Sequence, residues 1–350
     1  MSTTGRTRDR RRGVRLRRSD CSRPGIARVR HGRGFRYVDE ESGRSLDAET
    51  RARIEELVIP PAWTDVWICA DPWGHLQATG IDAAGRKQYL YHDRWRARRD
   101  RQKFDEMLDF ARALPGLRQR ASEHLEAEDV TRERVLAAAV RLLDRGFFRI
   151  GTEQYAENHG TYGLATMQKR HVRLLGDGVL RFDYTAKYGH RRIQSVIDPD
   201  VYGLIGELKR RRGGGDDLLA YRDGRRWRDV SSTDINEYIQ DVAGEEFSAK
   251  DFRTWNATVL AAVGLAVSSQ IRPSATARKR AKARVVKEVA EYLGNTPAVA
   301  RSAYIDPRVF DRFDAGATIA PALHDLEPPA PEDAGTPRAI EEAVLDLLEA

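Results

Sequence analysis

At Asp93 the chain changes character, and that break constrains the fold more than any other feature of its 350 residues. Before it, from Gly34 to Tyr91, short alternating runs are separated by turn residues. FRYVDEESG and WICADPWGHLQATG read as hairpins, and RKQYLYH reads as an alternating strand. A short helix over residues 48–57, with Asp47 as its N-cap, interrupts them. After the break, RWRARRDRQKFDEMLDFARAL opens a long, highly charged half with apolar residues at helical spacing. The length suffices for two domains, each with its own core. The expected fold class is α+β: a small antiparallel β-sheet domain over 25–93, then a mostly α-helical domain over 94–325 that carries a small β-hairpin sheet.

Lys and Arg total 60 against 53 Asp and Glu, a net charge of +7 and a pI near 9.4, which suits an extended polyanion as partner. The charge is unevenly placed: the first 36 residues hold thirteen Arg and two Asp, whereas the last thirty hold eight acids and one Arg. Residues 1–24 read as a disordered basic arm, because they have too little apolar surface to offset the entropy of ordering. Such an arm is either a solvated tail or a nonspecific phosphate contact. Residues 326–350 read as a Pro-rich linker and an acidic helix with Ile340, Val344, Leu347 and Leu348 on one face, expected to dock back onto its own domain. Only Cys21 and Cys69 are present, in unrelated contexts, so neither a disulfide framework nor a metal site is indicated and a reducing cytoplasm fits. The sequence has no run of eighteen apolar residues, which argues against a membrane span, while an Arg-rich, acid-poor start leaves an organelle transit peptide open.

In the helical half, a core helix over 130–147, with Val135, Ala139, Leu142, Leu143 and Gly146 on one face, delivers FFRIGTEQYAENHGTYGLATM with Arg149 at the helix end. VRLLGDGVLRFDYTAKYGHRRIQSVID reads as two or three strands, turning at Gly176–Gly178 and again at Lys187–His190. Gly213–Gly215 reads as a flexible loop before a helix capped by Ser232 or Thr233. AKDFRTWNATVLAAVGLAV is a buried helix with Lys250 and Arg253 near its start, where a cation opposes the helix dipole and implies an anion or acid nearby. A basic helix, SATARKRAKARVVKEVAEYL, follows. It leads to Asn295 in a Gly-Asn-Thr-Pro turn and a short helix started by Pro297 that carries Val299, Arg301 and Tyr304. Gln88, Tyr89 and Tyr91 follow the basic pair Arg86 and Lys87, a pattern that suits a sheet face in a DNA groove and equally suits ordinary packing.

Taken together, FRIGTEQYAENHGTYGLATM, the TAK hairpin, KDFRTWNAT and GNTPAVARSAY resemble the type IB DNA topoisomerases in their small bacterial and poxvirus form. The resemblance runs from Ile59, in IPPAWTDV, through GRKQYLYH to Tyr304. It implies relaxation of supercoiled DNA by cleavage of one strand through a 3′-phosphotyrosyl intermediate and religation, without ATP, cofactor or obligatory metal. It further implies a cytoplasmic, nucleoid-associated monomer that closes on double-stranded DNA as a clamp. Tyr304 matches the nucleophile, Arg149 and Arg253 the two arginines that hold the scissile phosphate, and Lys187 the hairpin lysine regarded as general acid. Asn295 stands nine residues before the tyrosine, where poxvirus and eukaryotic members have an imidazole. An amide can donate to a non-bridging oxygen but can neither carry charge nor transfer a proton, so Asn295 is expected to be a phosphate-oxygen ligand. Gln88, Tyr89 and Tyr91 match positions that touch bases and phosphates in the poxvirus relatives. Tyr155 matches another DNA-contacting tyrosine, and Lys250 matches a lysine close to the scissile phosphate.

Two other readings compete. A tyrosine recombinase uses the same attack but exchanges strands in a tetramer. It more often has histidine three residues before the second arginine, where this chain has Lys250. A DNA-binding relative with a decayed site would explain Asn295, but Tyr304, Lys187 and both arginines are retained.

Overall fold

The computed structural model of the chain describes residues 15–268, 274–324 and 336–350. The chain forms two compact units, Met1–Lys103 and Phe104–Ala350, so the division falls ten residues beyond the change of composition at Asp93, inside a helix.

The first unit contains β1 (Ile26–His31), β2 (Gly34–Asp39), α1 (Ala48–Glu56), β3 (Thr64–Ile68), β4 (Leu76–Ile81) and β5 (Lys87–Tyr91). The strands make one antiparallel sheet in the order β2-β1-β3-β4-β5. Ile26, Val66, Ile68 and Ala78 of the sheet bury against Ile54 of α1. The Asp47 carboxylate caps α1 by accepting from Thr50 N, and Arg53 ties the helix to the sheet through Gln77 Oε1 and Cys69 O. Part of the expected basic arm is ordered. Residues 1–14 lie outside the described residues, but Arg17 N donates to Trp73 O, Arg17 O accepts from His75 N, and Ser19 N donates to His75 Nδ1. Backbone pairing to the β3–β4 connection orders this stretch where apolar side chains are lacking.

The second unit takes up most of α2 (Asp93–Leu125), then α3 (Arg132–Gly146), α4 (Glu153–His159), β6 (Val172–Leu174), β7 (Val179–Thr185), β8 (Arg191–Ile197) and α5 (Pro199–Arg210). There follow β9 (Ala220–Asp223), β10 (Arg226–Asp229), α6 (Ser232–Ala243), α7 (Ala249–Ser268), α8 (Ala275–Leu293), α9 (Pro297–Ala303), α10 (Pro307–Asp314), α11 (Ala320–His324) and α12 (Arg338–Glu349). At the centre of this unit, α3 packs against α5, α6, α7 and β8. Its residues from Val135 to Val140 are buried without a break, since alanines at 137, 138 and 139 let its neighbours approach on every side. Strands β6, β7 and β8 form the expected small antiparallel sheet.

Several boundaries differ from the sequence reading for local reasons. Thr131 caps α3 by accepting from Arg134 N, so the helix starts two residues later than expected. The cap of α6 is Ser231, not Ser232 or Thr233, because Asp234 can return a bond to Ser231 N and close a capping box. The hairpin β9–β10 was not foreseen, although Asp223-Gly224, with Gly224 at φ 57°, is a strong short-range hairpin signal. Residues 325–335 of the expected Pro-rich linker lie outside the described residues. Beyond them, α12 docks on α7 and α10 with Ile340, Val344 and Leu348 buried and Leu347 half-buried. Among the described residues, no helix is long and apolar enough to cross a membrane.

Candidate active site

The end of α3 sets the first arginine. Phe147 adopts a left-handed backbone (φ 53°), which costs a non-glycine residue about 1–2 kcal/mol and turns the chain sharply. Phe148 then plunges into the core and Arg149 emerges beside it. The backbone of Arg149 is fixed by Leu164 N on its carbonyl (2.8 Å) and Ala165 N on that of Ile150 (2.7 Å). This pairing requires Gly151 and Gly163 back to back: a Cβ on Gly163 would stand 2.4 Å from Gly151 Cα.

Arg253 lies near the start of α7 and is 3 % exposed. Its Nη1 donates to Phe147 O and its Nη2 to Leu293 O (2.8 Å). Gly294 ends α8 in a left-handed turn (φ 61°), and Asn295 N closes it on Ala290 O (2.9 Å). Arg149 Nη2 donates to both Gly294 O (3.0 Å) and Asn295 Oδ1. Tyr304 follows directly on α9. Its carbonyl accepts from Thr258 Oγ1 (3.2 Å), and the same hydroxyl oxygen accepts from Asp306 N (3.1 Å), so a buried threonine of α7 fixes the tyrosine's backbone. The guanidinium carbon of Arg253 lies 5.2 Å from the centre of the Tyr304 ring.

One local device holds these cations together. The successive carbonyls of Glu291, Tyr292, Leu293 and Gly294 close α8, and all accept from arginines: the first two from Arg192, the third from Arg253, the fourth from Arg149. The last carbonyls of a helix have no intrahelical partner and carry the negative end of its dipole, which makes this a natural seat for cations. None of the three arginines has a carboxylate partner among the described residues. Burial, reinforced by the Arg149 charge, brings the Arg253 guanidinium down to about 10, so it stays cationic at neutral pH. Burial alone would push the Tyr304 phenol up, but the charges of Arg253 and Arg149 outweigh it and hold the group below its usual range. Asn295 Nδ2 and Arg253 Nε are buried without a hydrogen-bond acceptor among the described residues.

Lys187 sits at the tip of the β7–β8 hairpin, exposed rather than desolvated, with Nζ 5.0 Å from the ring centre of its neighbour Tyr188. Tyr304, Arg149, Arg253, Lys187 and Asn295 nevertheless line one cleft of about 740 Å³, together with Arg192 and Tyr184. Lys250 lines a smaller recess of about 280 Å³ that shares Arg149, Arg253, Lys187 and Tyr304. In the first unit, Tyr89 and Tyr91 are exposed on one face of the edge strand β5, their rings stacked with centroids 6.2 Å apart. Gln88 alternates to the other face, the side on which Leu90 joins the core, and donates to Asp82 Oδ2 (2.9 Å), so the three do not form a single face as expected. Tyr155 lies in α4, and its side chain is outside the described structure. Arg192 and Thr258 escaped the sequence reading. An arginine pair after a hairpin looks like solvated strand charge, and a threonine in an apolar helix looks like core.

Comparisons with known proteins give the family. The sequence model of the eukaryotic DNA topoisomerase I catalytic core matches residues 92–317, and that of the bacterial DNA topoisomerase IB N-terminal domain matches residues 34–82. The chain is 31 % identical to the DNA topoisomerase 1B of Acanthamoeba polyphaga mimivirus over 288 residues, covering 80 % of this chain and 85 % of the viral protein. The chain belongs to the type IB DNA topoisomerase family. As a type IB topoisomerase it is an isomerase acting on DNA. DNA topoisomerase 1 of Daucus carota is 26 % identical over 160 residues and that of Schizosaccharomyces pombe 27 % over 160. Each match takes in 45 % of this chain and 19 % of the larger relative, so the likeness to these topoisomerases is confined to a shared part.

Proposed function

We propose that this type IB topoisomerase relaxes supercoiled DNA by using Tyr304 to cut one strand and hold its 3′ phosphate until the strand is resealed. The Tyr304 oxygen attacks phosphorus, the P–O5′ bond breaks, and the departing 5′ oxygen takes a proton from Lys187 while the phenol proton passes to solvent. In the reverse step the 5′ hydroxyl returns its proton to Lys187, attacks phosphorus and expels the tyrosine. Because the phosphotyrosyl ester conserves the energy of the broken bond, resealing needs no ATP. Arg149, Arg253 and Asn295 donate to the non-bridging oxygens, where negative charge grows, and so fill the place that a metal takes in other phosphoryl-transfer sites. Lys250 adds positive charge beside them. Tyr89 and Tyr91, together with Gln88 and Tyr155, contact the duplex, which a monomer grips while one strand swivels.

What carries this reading is the pair of buried donors, Asn295 Nδ2 and Arg253 Nε, that have no well-formed acceptor among the described residues, in a cleft where Arg149, Arg192 and Arg253 have no carboxylate partner among those residues. Buried donors of this kind are costly by about 1–3 kcal/mol each unless a ligand satisfies them, and a tetrahedral phosphate oxyanion suits both. The Asn295 amide is oriented for that task, since its oxygen is already taken by Arg149. Its substitution for an imidazole removes charge but not hydrogen bonding, which weighs against a decayed site. The test is to denature the protein with detergent during its reaction with duplex DNA and look for a covalent 3′-phosphate adduct. Tyr304→Phe is expected to abolish the adduct while duplex binding persists, and an undiminished adduct in that variant would rule out Tyr304 as nucleophile.

A further inference from the structure

Arg192 also lines the cleft, and the proposed chemistry does not use it. Arg192 is half-buried and without a carboxylate partner among the described residues, and burial lowers its pKa. A cation kept at that cost has work to do. Each of its three nitrogens is committed to a protein acceptor: Nε to Gln194 Oε1 (2.7 Å), Nη1 to Glu291 O (3.3 Å) and Nη2 to Tyr292 O. Gln194 extends the chain, its Nε2 donating to Gly146 O (2.8 Å) at the end of α3. Arg192 therefore differs from Arg149, which among the described residues engages protein acceptors through Nη2 alone.

These contacts join three elements that each carry a different part of the site. Strand β8 is one arm of the hairpin with Lys187 at its tip, the end of α8 leads to Asn295, and the end of α3 leads to Arg149. Among the described residues the Lys187 ammonium meets only the ring of Tyr188, so its place is set by the hairpin and not by a hydrogen bond of its own. The β7 arm is held by Tyr162 N on Thr185 O (2.8 Å). Near the tip, the β8 arm is held by Arg192.

We infer that Arg192 is a positioning residue, which with Gln194 braces the lysine hairpin against the phosphate-holding ends of α3 and α8. This rests on the function proposed above, in which Lys187 protonates the leaving 5′ oxygen. Arg192 touches neither the phosphate nor the leaving group; it fixes where the proton donor stands. Loss of the brace therefore impairs proton delivery while leaving the attack by Tyr304 intact. A displacement of about 1 Å at a reacting group is enough to cost about a hundredfold in rate.

The experiment is single-turnover cleavage of two substrates that are identical except that the bridging 5′ oxygen is sulfur in one, since a thiolate leaves without a proton. In Arg192→Ala, cleavage at oxygen is expected to fall about 100-fold, as for a misplaced general acid. Cleavage at sulfur should stay within about threefold of the unaltered protein, because that step needs no acid. The double variant with Lys187→Ala should be no slower at oxygen than Lys187→Ala alone. Arg192→Lys, which keeps the charge but cannot span these acceptors, should recover only part of the loss, and it carries the same comparison if the alanine variant does not fold. Equal slowing on both substrates, or losses that multiply in the double variant, would overturn the inference. If Lys187→Ala itself gains nothing from sulfur, the acid role and the brace fall together. Absence of any covalent adduct from the unaltered protein instead strikes the proposed function, which keeps the two failures apart.

Discussion

Tyr304 is subject to two opposed influences, and the balance between them decides whether it can act. Burial disfavours a phenolate, whereas the cations of Arg253 and Arg149 favour it, and the cations prevail. A cation stabilises the conjugate base of an acid, so removing one while burial persists must raise the pKa. With ¹³C-labelled tyrosine, the Tyr304 resonance is therefore expected to titrate below the ordinary phenol value of 10.0, and Arg149→Ala is expected to shift it upward. The single-turnover cleavage rate should rise with pH and level off at that same pKa. A titration at or above the ordinary value in the unaltered protein would remove this account of how the nucleophile is activated. Arg253 shows the converse trade, because its charge is held in a poor environment until an anion arrives.

At the scale of elements, the terminal helix α12 is part of the core and not an appendage. Glu341 is 6 % exposed and accepts from Arg118 Nη1 and Nη2 (2.5 and 2.9 Å) and from Trp255 Nε1 (3.0 Å). Arg118 also forks onto Asp144 of α3 (2.8 and 2.9 Å), so α2, α3, α7 and α12 meet in one buried ionic network. Removing one member leaves a desolvated charge and an unpaired indole N–H, yet Arg118 keeps Asp144. Glu341→Ala should therefore destabilise the fold by about 3 kcal/mol, toward the lower end for a broken buried pair. Chemical denaturation gives the number, and a change below about 0.5 kcal/mol, typical of a surface site, would mean that the network is not structural. Trp255 stands two residues from Arg253 on α7, so this network also steadies the helix that presents the buried arginine.

For the whole molecule, the two units differ in chemistry: the first presents exposed aromatic side chains on a sheet edge, and the second gathers Arg149, Arg192 and Arg253, with no carboxylate partner among the described residues, in one cleft. A recombinase would need several copies to exchange strands, whereas the relaxation proposed above uses a single chain. The plasmid relaxation rate is expected to be first order in protein, without ATP and in the presence of EDTA; a higher-order dependence would favour the recombinase. The α+β division and the strings around Arg149, Lys187, Arg253, Asn295 and Tyr304 were legible in the chain itself, because hydrophobic periodicity and residue spacing are local properties. Local pattern also located the Asp47 cap of α1, and the cap of α6 to within one or two residues. It could not separate Gln88 from Tyr89 and Tyr91, since which face of a strand meets the core depends on what packs beneath it. Nor could it show that one helix end gathers Arg149, Arg192 and Arg253 on four successive carbonyls. These residues are scattered from position 149 to position 294, and only the closure of the chain brings its guanidiniums to the carbonyl groups at which a helix stops.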